Sequence, residues 1–481
     1  MKVVVIPLDS RPCNYSWVKK YADYASIDLT ISDFEKTGDL HKGFDTDNLD
    51  SWLFENCQNT DTLLVSIDAI TSGGLIQARQ GTFSIEQAIK NVDYLKKVKE
   101  MYPTIKIYAF DTIMRTSITA YDEETSRYWA LINEYSRILG ENHFNPKDEY
   151  KKRIKELEDA IPERVLNSYL DARNKKHQIN KYLIDLVENN IVEYCVLLQE
   201  DTQPSGIQVI ENDILNELVV SKHLGNRISI YNGTDEGTVI LLAKILFEDL
   251  DHKPSVHFMF PDEKLKSKVM KFEDREVYFN CLRLAGVVGF EIKPIQEADY
   301  VIPVYTEDNN YDLDLSRPVE VPLSDEKKYL EFISKTNHLI KQGRKVGFVD
   351  LHHPNGGSLD LLKKIDFDNL LAYSAWNTAS NALGSLIALL GVHAYNPNTD
   401  LSKFLYERII DDCIFQTEVR RKINAKLIKE NINIYDLGKS GSYSSNLIDS
   451  AMKVDTDFLG EVKYKIVLPW NRTFEIDIDM E

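Results

Sequence analysis

The sequence predicts an α/β fold: mainly parallel sheets with flanking helices, a barrel-like or Rossmann-like first domain, a second α/β domain and a small C-terminal element. Three observations carry that prediction. Short β-branched and apolar runs recur along the chain, they are nearly continuous rather than alternating, and helical stretches separate them. A strand buried on both faces loses the alternation of a half-exposed strand, and parallel neighbours need a crossover, usually a helix. At 481 residues the chain exceeds one ordinary core. A prior of roughly 150 residues per domain gives two or three.

The first run is Val3-Val4-Val5-Ile6, and strands are expected again at 62–67, 105–110, 193–198 and 227–231. A helix is predicted over 84–102. From 116 to 190 no strand signal occurs, and 146–160 and 162–189 read as charged amphipathic helices. This is a helical insertion or lid over the strand ends, within a first α/β domain drawn at 1–250. Residues 249–254 look like a linker, and a second series follows, with strands at 256–260, 300–304, 346–349 and 370–373 and a helix over 325–342. That series defines a second α/β domain at 251–400. The element at 401–481 begins with helix and closes with a strand pair at 463–468 and 472–478. No internal repeat or low-complexity tract interrupts the pattern.

Composition narrows the function classes. A formal net charge of −19 argues against duplex nucleic acid or an anionic membrane as partner, since both would be repelled. Basic runs such as Lys151-Lys152-Arg153 alternate with acids on a helical period, which makes a solvated face rather than a basic patch. No apolar run approaches the ~18 residues of a membrane span, and the apolar start is too short for a signal-peptide core. Cys13, Cys57, Cys195, Cys281 and Cys413 contain no Cys-x-x-Cys and are odd in number, so a reduced cytoplasmic protein is expected.

Candidate chemistry lies just after the strands. In parallel α/β folds ligands bind outside the carboxyl ends of the strands. Asp9 and Arg11 follow the first strand; Asp68, Gly73-Gly74 and Arg79 follow the next. Asp111 and Arg115, then Glu200-Asp201, then Asn232 with Asp235-Glu236 come after the following three. Asp350 with Asn355, and Trp376-Asn377 with Asn381, end the second series. A single strand-end acid is commonly a helix cap, but repetition at seven strand ends points to a shared site. Gly73-Gly74 marks a close backbone approach or a positive φ, although no phosphate-loop motif accompanies it. Adjacent carboxylates repel when both are ionised, so Glu200-Asp201 and Asp235-Glu236 are places to expect a raised pKa and acid–base work. Arg11 offers a rigid donor fork for a ligand, or else closes an Asx turn with Asp9. Trp376 is a stacking platform or core, with Asn377 and Asn381 as hydrogen-bond partners. His352-His353 invites a metal reading, yet ligand spacing is missing and adjacent histidines diverge on regular backbone. Neither a metal nor a cofactor is therefore expected. No Gly-x-Ser-x-Gly elbow, catalytic-cysteine signature or kinase motif set occurs.

Segments 7–14, 68–79, 199–206, 232–237, 350–357 and 372–384 together resemble a bacterial family catalogued as domain of unknown function 4127. The resemblance covers nearly the whole chain. It implies no established reaction, although association with sugar uptake and catabolism tilts expectation toward carbohydrates. Where the family pattern has Ala-Tyr, this chain has His352-His353. Asp235-Glu236 is also similar to the Asp-Glu pair that retaining hexosaminidases place after a barrel strand.

The expected function is a sugar-processing enzyme, a glycoside hydrolase with Glu236 or Glu200 as general acid and Asp235 or Asp201 as partner carboxylate. Asp9, Arg11, Asp68, Arg79, Asp111, Arg115, Asn232, Asp350, Asn355, Trp376, Asn377 and Asn381 would bind the substrate, with Asp9, Asp68, Glu200, Asp235 and Asp350 lining one cleft. The alternatives are a non-catalytic binding protein for a small polar ligand, and a transferase working between two nucleotide-fold-like domains.

Overall fold

The computed structural model describes residues 1–119, 123–309, 322–460 and 462–481. Residues 120–122, 310–321 and 461, which fall inside the expected insertion, second domain and C-terminal element, lie outside that description. The protein is α/β, built on two parallel sheets flanked by helices. Two compact units are formed. The first comprises Met1–Ser10, Ile27–Leu241 and Phe272–Arg275; the second comprises Arg11–Ser26, Leu242–Lys271 and Glu276–Glu481.

In the first unit six strands run in parallel: β1 (Lys2–Ile6), β2 (Asp28–Ile31), β3 (Thr62–Ser66), β4 (Lys106–Ile113), β5 (Tyr194–Gln199) and β6 (Ile228–Asn232). Their order is β2-β1-β3-β4-β5-β6, an open doubly wound sheet rather than a barrel. Register aligns the carboxyl ends, with Ile6 opposite Val65, Ser66 opposite Phe110, and Ile113, Gln199 and Asn232 side by side. Alternate residues of one sheet face (Val4, Ile6, Leu63, Val65, Ile107, Ala109, Cys195, Leu197) form a core with apolar residues of the flanking helices, Leu53, Val92, Leu95, Ile184 and Leu215 among them. This matches the continuous apolar strands of the sequence. β2 carries no such run; its exposed or half-exposed Asp28-Leu29-Thr30-Ile31 needs apolar cover less, being an edge strand.

Short helix α1 (Leu75–Gln80) follows β3. Between 116 and 190 the described residues include the helices α2 (Glu123–Phe144), α3 (Asp148–Ala160) and α4 (Glu163–Glu188). Ile132, Tyr135, Leu157, Ile161 and Leu166 build a satellite core there. Helix α5 (Gly237–Glu248) follows β6.

The second unit repeats the topology. Strands β7 (Ser255–Met259), β8 (Glu291–Ile292), β9 (Tyr300–Tyr305), β10 (Lys345–Asp350) and β11 (Ala372–Ser374) are all parallel in the order β8-β7-β9-β10-β11. β8, two exposed residues at the sheet edge, has no sequence signal. Helix α6 (Ala379–Tyr395) follows β11 and is buried along nearly all its length. The antiparallel pair β12 (Tyr464–Val467) and β13 (Asp477–Met480) closes the chain. The expected second strand at 472–478 therefore starts later, because Trp470 to Ile476 form a turn whose charges are internally paired, as in Arg472–Glu475 at 2.9 Å. Among the described residues no helix is long and apolar enough to cross a membrane.

Candidate active site

In the order β2-β1-β3 the sheet reverses direction of growth between β1 and β3, and ligands of such sheets bind at that switch point. The loop after β1 carries buried Asp9. After β3 the chain runs through Gly73 and Gly74, whose φ values are +102° and +130°. A Cβ on Gly74 would come within 3.1 Å of the Leu8 carbonyl and 3.9 Å of Asp9 Cβ. The glycine pair thus lets the β3 loop lie against the β1 loop, the close approach its sequence signals.

From Gly74, α1 carries Arg79 across to the end of β5. Arg79 donates from Nε and Nη2 to Glu200 Oε2 at 2.9 and 2.6 Å, while the Arg115 backbone N–H donates to Oε1 at 3.1 Å. The Arg115 side chain pairs with Asp201 at 2.6 Å. Residues after β3, β4 and β5 are therefore directly joined. Three donors converging on Glu200 fix its carboxylate in place.

Asp68 and Asp111 are engaged differently. Both are fully buried and both accept from Lys176 Nζ. Asp68 Oδ2 also accepts the Thr112 N–H at 3.1 Å and its hydroxyl at 2.7 Å, and Asp111 Oδ2 accepts from Asn180 at 2.7 Å. Burial pushes the Asp111 carboxyl well above its ordinary range, with Lys176 pulling the other way. Burial also works against the Lys176 ammonium, but Asp111 and Asp68 hold its pKa above the ordinary value. One turn earlier Arg173 forks onto Glu211 and donates to the carbonyl of Arg115 at 2.6 Å. Arg173, Lys176 and Asn180 occupy one face of α4, which fastens it to the end of β4. These partners escape a motif search, yet a signal exists: they fall within the buried stripe Tyr169, Ala172, Ile179, Leu183 at helical spacing.

The end of β6 holds the unusual carboxyl. Asn232 donates to Asp274 at 2.8 Å, and Asp235, Glu236 and Glu273 are all buried. Glu236, 1% exposed, accepts the Thr234 N–H on Oε2 at 2.9 Å, while its Oε1 has no hydrogen-bond partner among the described residues. Burial raises its pKa to about 8; the Thr234 N–H opposes the shift, and the charges of Asp235 and Glu273 add to it. Burial also raises Asp274, against the pull of Asn232. Glu236 is the last residue before α5, but its carboxyl bonds upstream rather than to the helix's first turn, so it is not a capping side chain.

Gly233, with φ +153°, makes this possible, because a Cβ there would overlap Glu236 Oε1. Gly233→Ala is expected to cost about 1–3 kcal/mol, as overpacking does. Thermal melting checks this, and adding Glu236→Ala should restore part of the loss. No recovery in the double variant would place the strain in the backbone alone.

A family model described as "Protein of unknown function (DUF4127)" matches residues 3–479. The chain belongs to that family. No curated protein and no solved structure matches it. The DUF4127 match runs from β1 to β13 and so takes in both sheets.

Of the residues singled out from the sequence, Asp9, Asp68, Arg79, Asp111, Arg115, Glu200, Asp201, Asn232, Asp235 and Glu236 lie along the carboxyl edge of the first sheet. Arg11, Asp350, Asn355, Trp376, Asn377 and Asn381 belong to the second unit. There Arg11 lies over the Trp470 ring at 5.2 Å. Trp376 is packed edge-on against Trp17 at 5.5 Å and is nearly fully buried, so it serves the core. Asn355 and Asn377 both take left-handed backbone and are joined by an Asn355 N–H bond to the Asn377 carbonyl at 2.9 Å. Asn381 donates to Thr378 Oγ1 at 2.7 Å. Among the described residues no group of three or more His, Cys, Asp or Glu side chains is arranged to hold a metal ion.

Proposed function

We propose that this protein is an acid–base enzyme acting on a neutral carbohydrate, with a glycosidic bond as its target and Glu236 as proton donor. The supporting observation is the buried Glu236 carboxyl with an uncommitted oxygen, protonated at neutral pH because its pKa is raised to about 8. In the reaction the glycosidic C–O bond breaks while Glu236 gives its proton to the departing oxygen. Water forms the new bond at the anomeric carbon and loses its proton to Asp235 or Glu273, whose charges both bear on Glu236. A neutral substrate fits the charge balance, since Arg79 and Arg115 are already paired with Glu200 and Asp201. All five cysteines are buried, and a reducing cytoplasm suits buried thiols.

The test is a panel of aryl glycosides and natural oligosaccharides offered to purified protein. Hydrolysis of at least one is expected, with a rate that falls on the alkaline side as Glu236 ionises near pH 8. Calorimetric sugar binding without turnover would replace the enzyme with a binding protein.

A further inference from the structure

A buried charge in the second unit stands outside this reading. Helix α7 (Arg420–Lys429) continues the π-helical stretch Ile409–Val419. Gln416, Arg420 and Asn424 follow one another at four-residue spacing, are 1%, 2% and 0% exposed, and all meet the turn between β12 and β13. Gln416 Nε2 donates to the Phe474 carbonyl at 3.1 Å, and the Arg420 guanidinium lies over the Phe474 ring at 4.4 Å. Asn424 Oδ1 accepts the Thr473 hydroxyl at 2.7 Å.

Arg420 is short of acceptors. Its Nη1 donates to Gln416 Oε1 at 2.5 Å, but its Nε has no hydrogen-bond partner among the described residues, and neither has Asn424 Nδ2 one turn on. The carboxylates whose charges bear on Arg420 are engaged by other groups. Glu475 accepts from Arg472 Nε at 2.9 and 3.0 Å, and Asp411 accepts from Arg408 at 3.1 Å and from Gln416 at 3.2 Å. Burial lowers the Arg420 pKa to about 10; the Glu475 charge opposes the shift and that of Arg472 adds to it. Buried cations are ordinarily met by a counter-charge and by acceptors. Here two guanidinium groups share Glu475, and a guanidinium edge and an amide on one helical face are left to donate, a pairing that suits the oxygens of an anion. We propose that Arg420 and Asn424 bind the oxyanion group of a small molecule, a phosphate or a carboxylate, against the β12–β13 turn. The proposal is independent of the role given to Glu236.

Calorimetric titration of the full chain with inorganic phosphate and with malonate, at constant ionic strength, tests it. Saturable binding of at least one anion is expected, with a melting temperature that rises with the concentration of that anion. Phosphate alone marks a phosphate ester as the natural ligand, and malonate alone a carboxylate. Arg420→Met keeps an apolar stem and removes the charge, so it should preserve the circular dichroism spectrum and weaken binding at least tenfold. Asn424→Asp sets a carboxylate one turn from Arg420 and gives the guanidinium an internal counter-ion. It should weaken binding as much and raise the melting temperature in anion-free buffer, which lost packing alone would not do. The proposal is overturned if neither anion saturates, or if either variant, once folded, binds as tightly as the wild type.

Discussion

Replacing Lys176 by methionine is expected to bring the first unit close to unfolding at neutral pH. The ammonium lies 1% exposed between Asp68 and Asp111, and methionine matches its length without its charge. Two carboxylates would then stay buried with no cation between them. Removing one partner of a buried ion pair costs about 3–5 kcal/mol, a large share of the roughly 5–15 kcal/mol that holds a domain together. Urea denaturation should show the loss. Burial already raises the Asp111 carboxyl and Lys176 opposes that shift, so without the lysine it should be raised further. A raised folded pKa makes the variant's stability present at acid pH and lost as pH rises through that value. The defect should therefore be small near pH 4 and grow toward pH 7, and adding Asp111→Asn should recover much of it. A loss below about 1 kcal/mol at pH 7 would mean that water reaches the cluster and the charges are not buried in effect.

That cluster also explains what could be read from the sequence. The strands were legible because a strand covered on both faces must be apolar throughout, as Val3–Ile6 and Leu63–Val65 are. β2 and β8 were not, since edge strands with exposed side chains have no such requirement. Helices α3 and α4 were legible from the period of their charged and apolar residues. The strand-end carboxylates were visible as well, but their individual circumstances were not. Asp68, Glu200 and Glu236 follow strands in the same manner, yet one is held by a lysine 108 residues away and one by an arginine 121 residues away. Of these three, Glu236 keeps an oxygen without a hydrogen-bond partner among the described residues. Such pairings are set by how α1 and α4 dock on the sheet, a tertiary fact that local spacing does not encode. Charged residues inside the apolar stripe of α4 were the one trace in the sequence, since Arg173 and Lys176 on a buried face require buried acids opposite them. Trp376 shows the converse: its place beside amides at a helix start suggests a ligand platform, and its ring is used by Trp17.

Glu236→Gln is expected to separate catalysis from stability. Once a hydrolysed glycoside is in hand, turnover should fall by about 10²–10⁴, the usual contribution of general acid–base catalysis. The amide keeps the shape of the protonated carboxyl and an oxygen for the Thr234 N–H, but it has no proton to deliver. Stability should move the other way. Burial raises the wild-type carboxyl from its ordinary value of 4.5 to about 8 in the folded protein. Its contribution is therefore present below about pH 4.5 and lost as pH rises toward 8, because ionising the buried group is costly. Glutamine does not ionise, so the variant should match the wild type near pH 4 and become the more stable protein as pH passes 8. A side chain that merely capped α5 would give a different outcome: a loss of about 1 kcal/mol at every pH above its titration, with turnover intact. Melting curves and rates measured on one preparation at pH 4.5, 6.5 and 8.5 distinguish these cases. Unchanged turnover with a melting temperature that rises at pH 8.5 would confirm the buried acid and dismiss it as the proton donor, leaving its ionisation as a cost to the fold with no catalytic return.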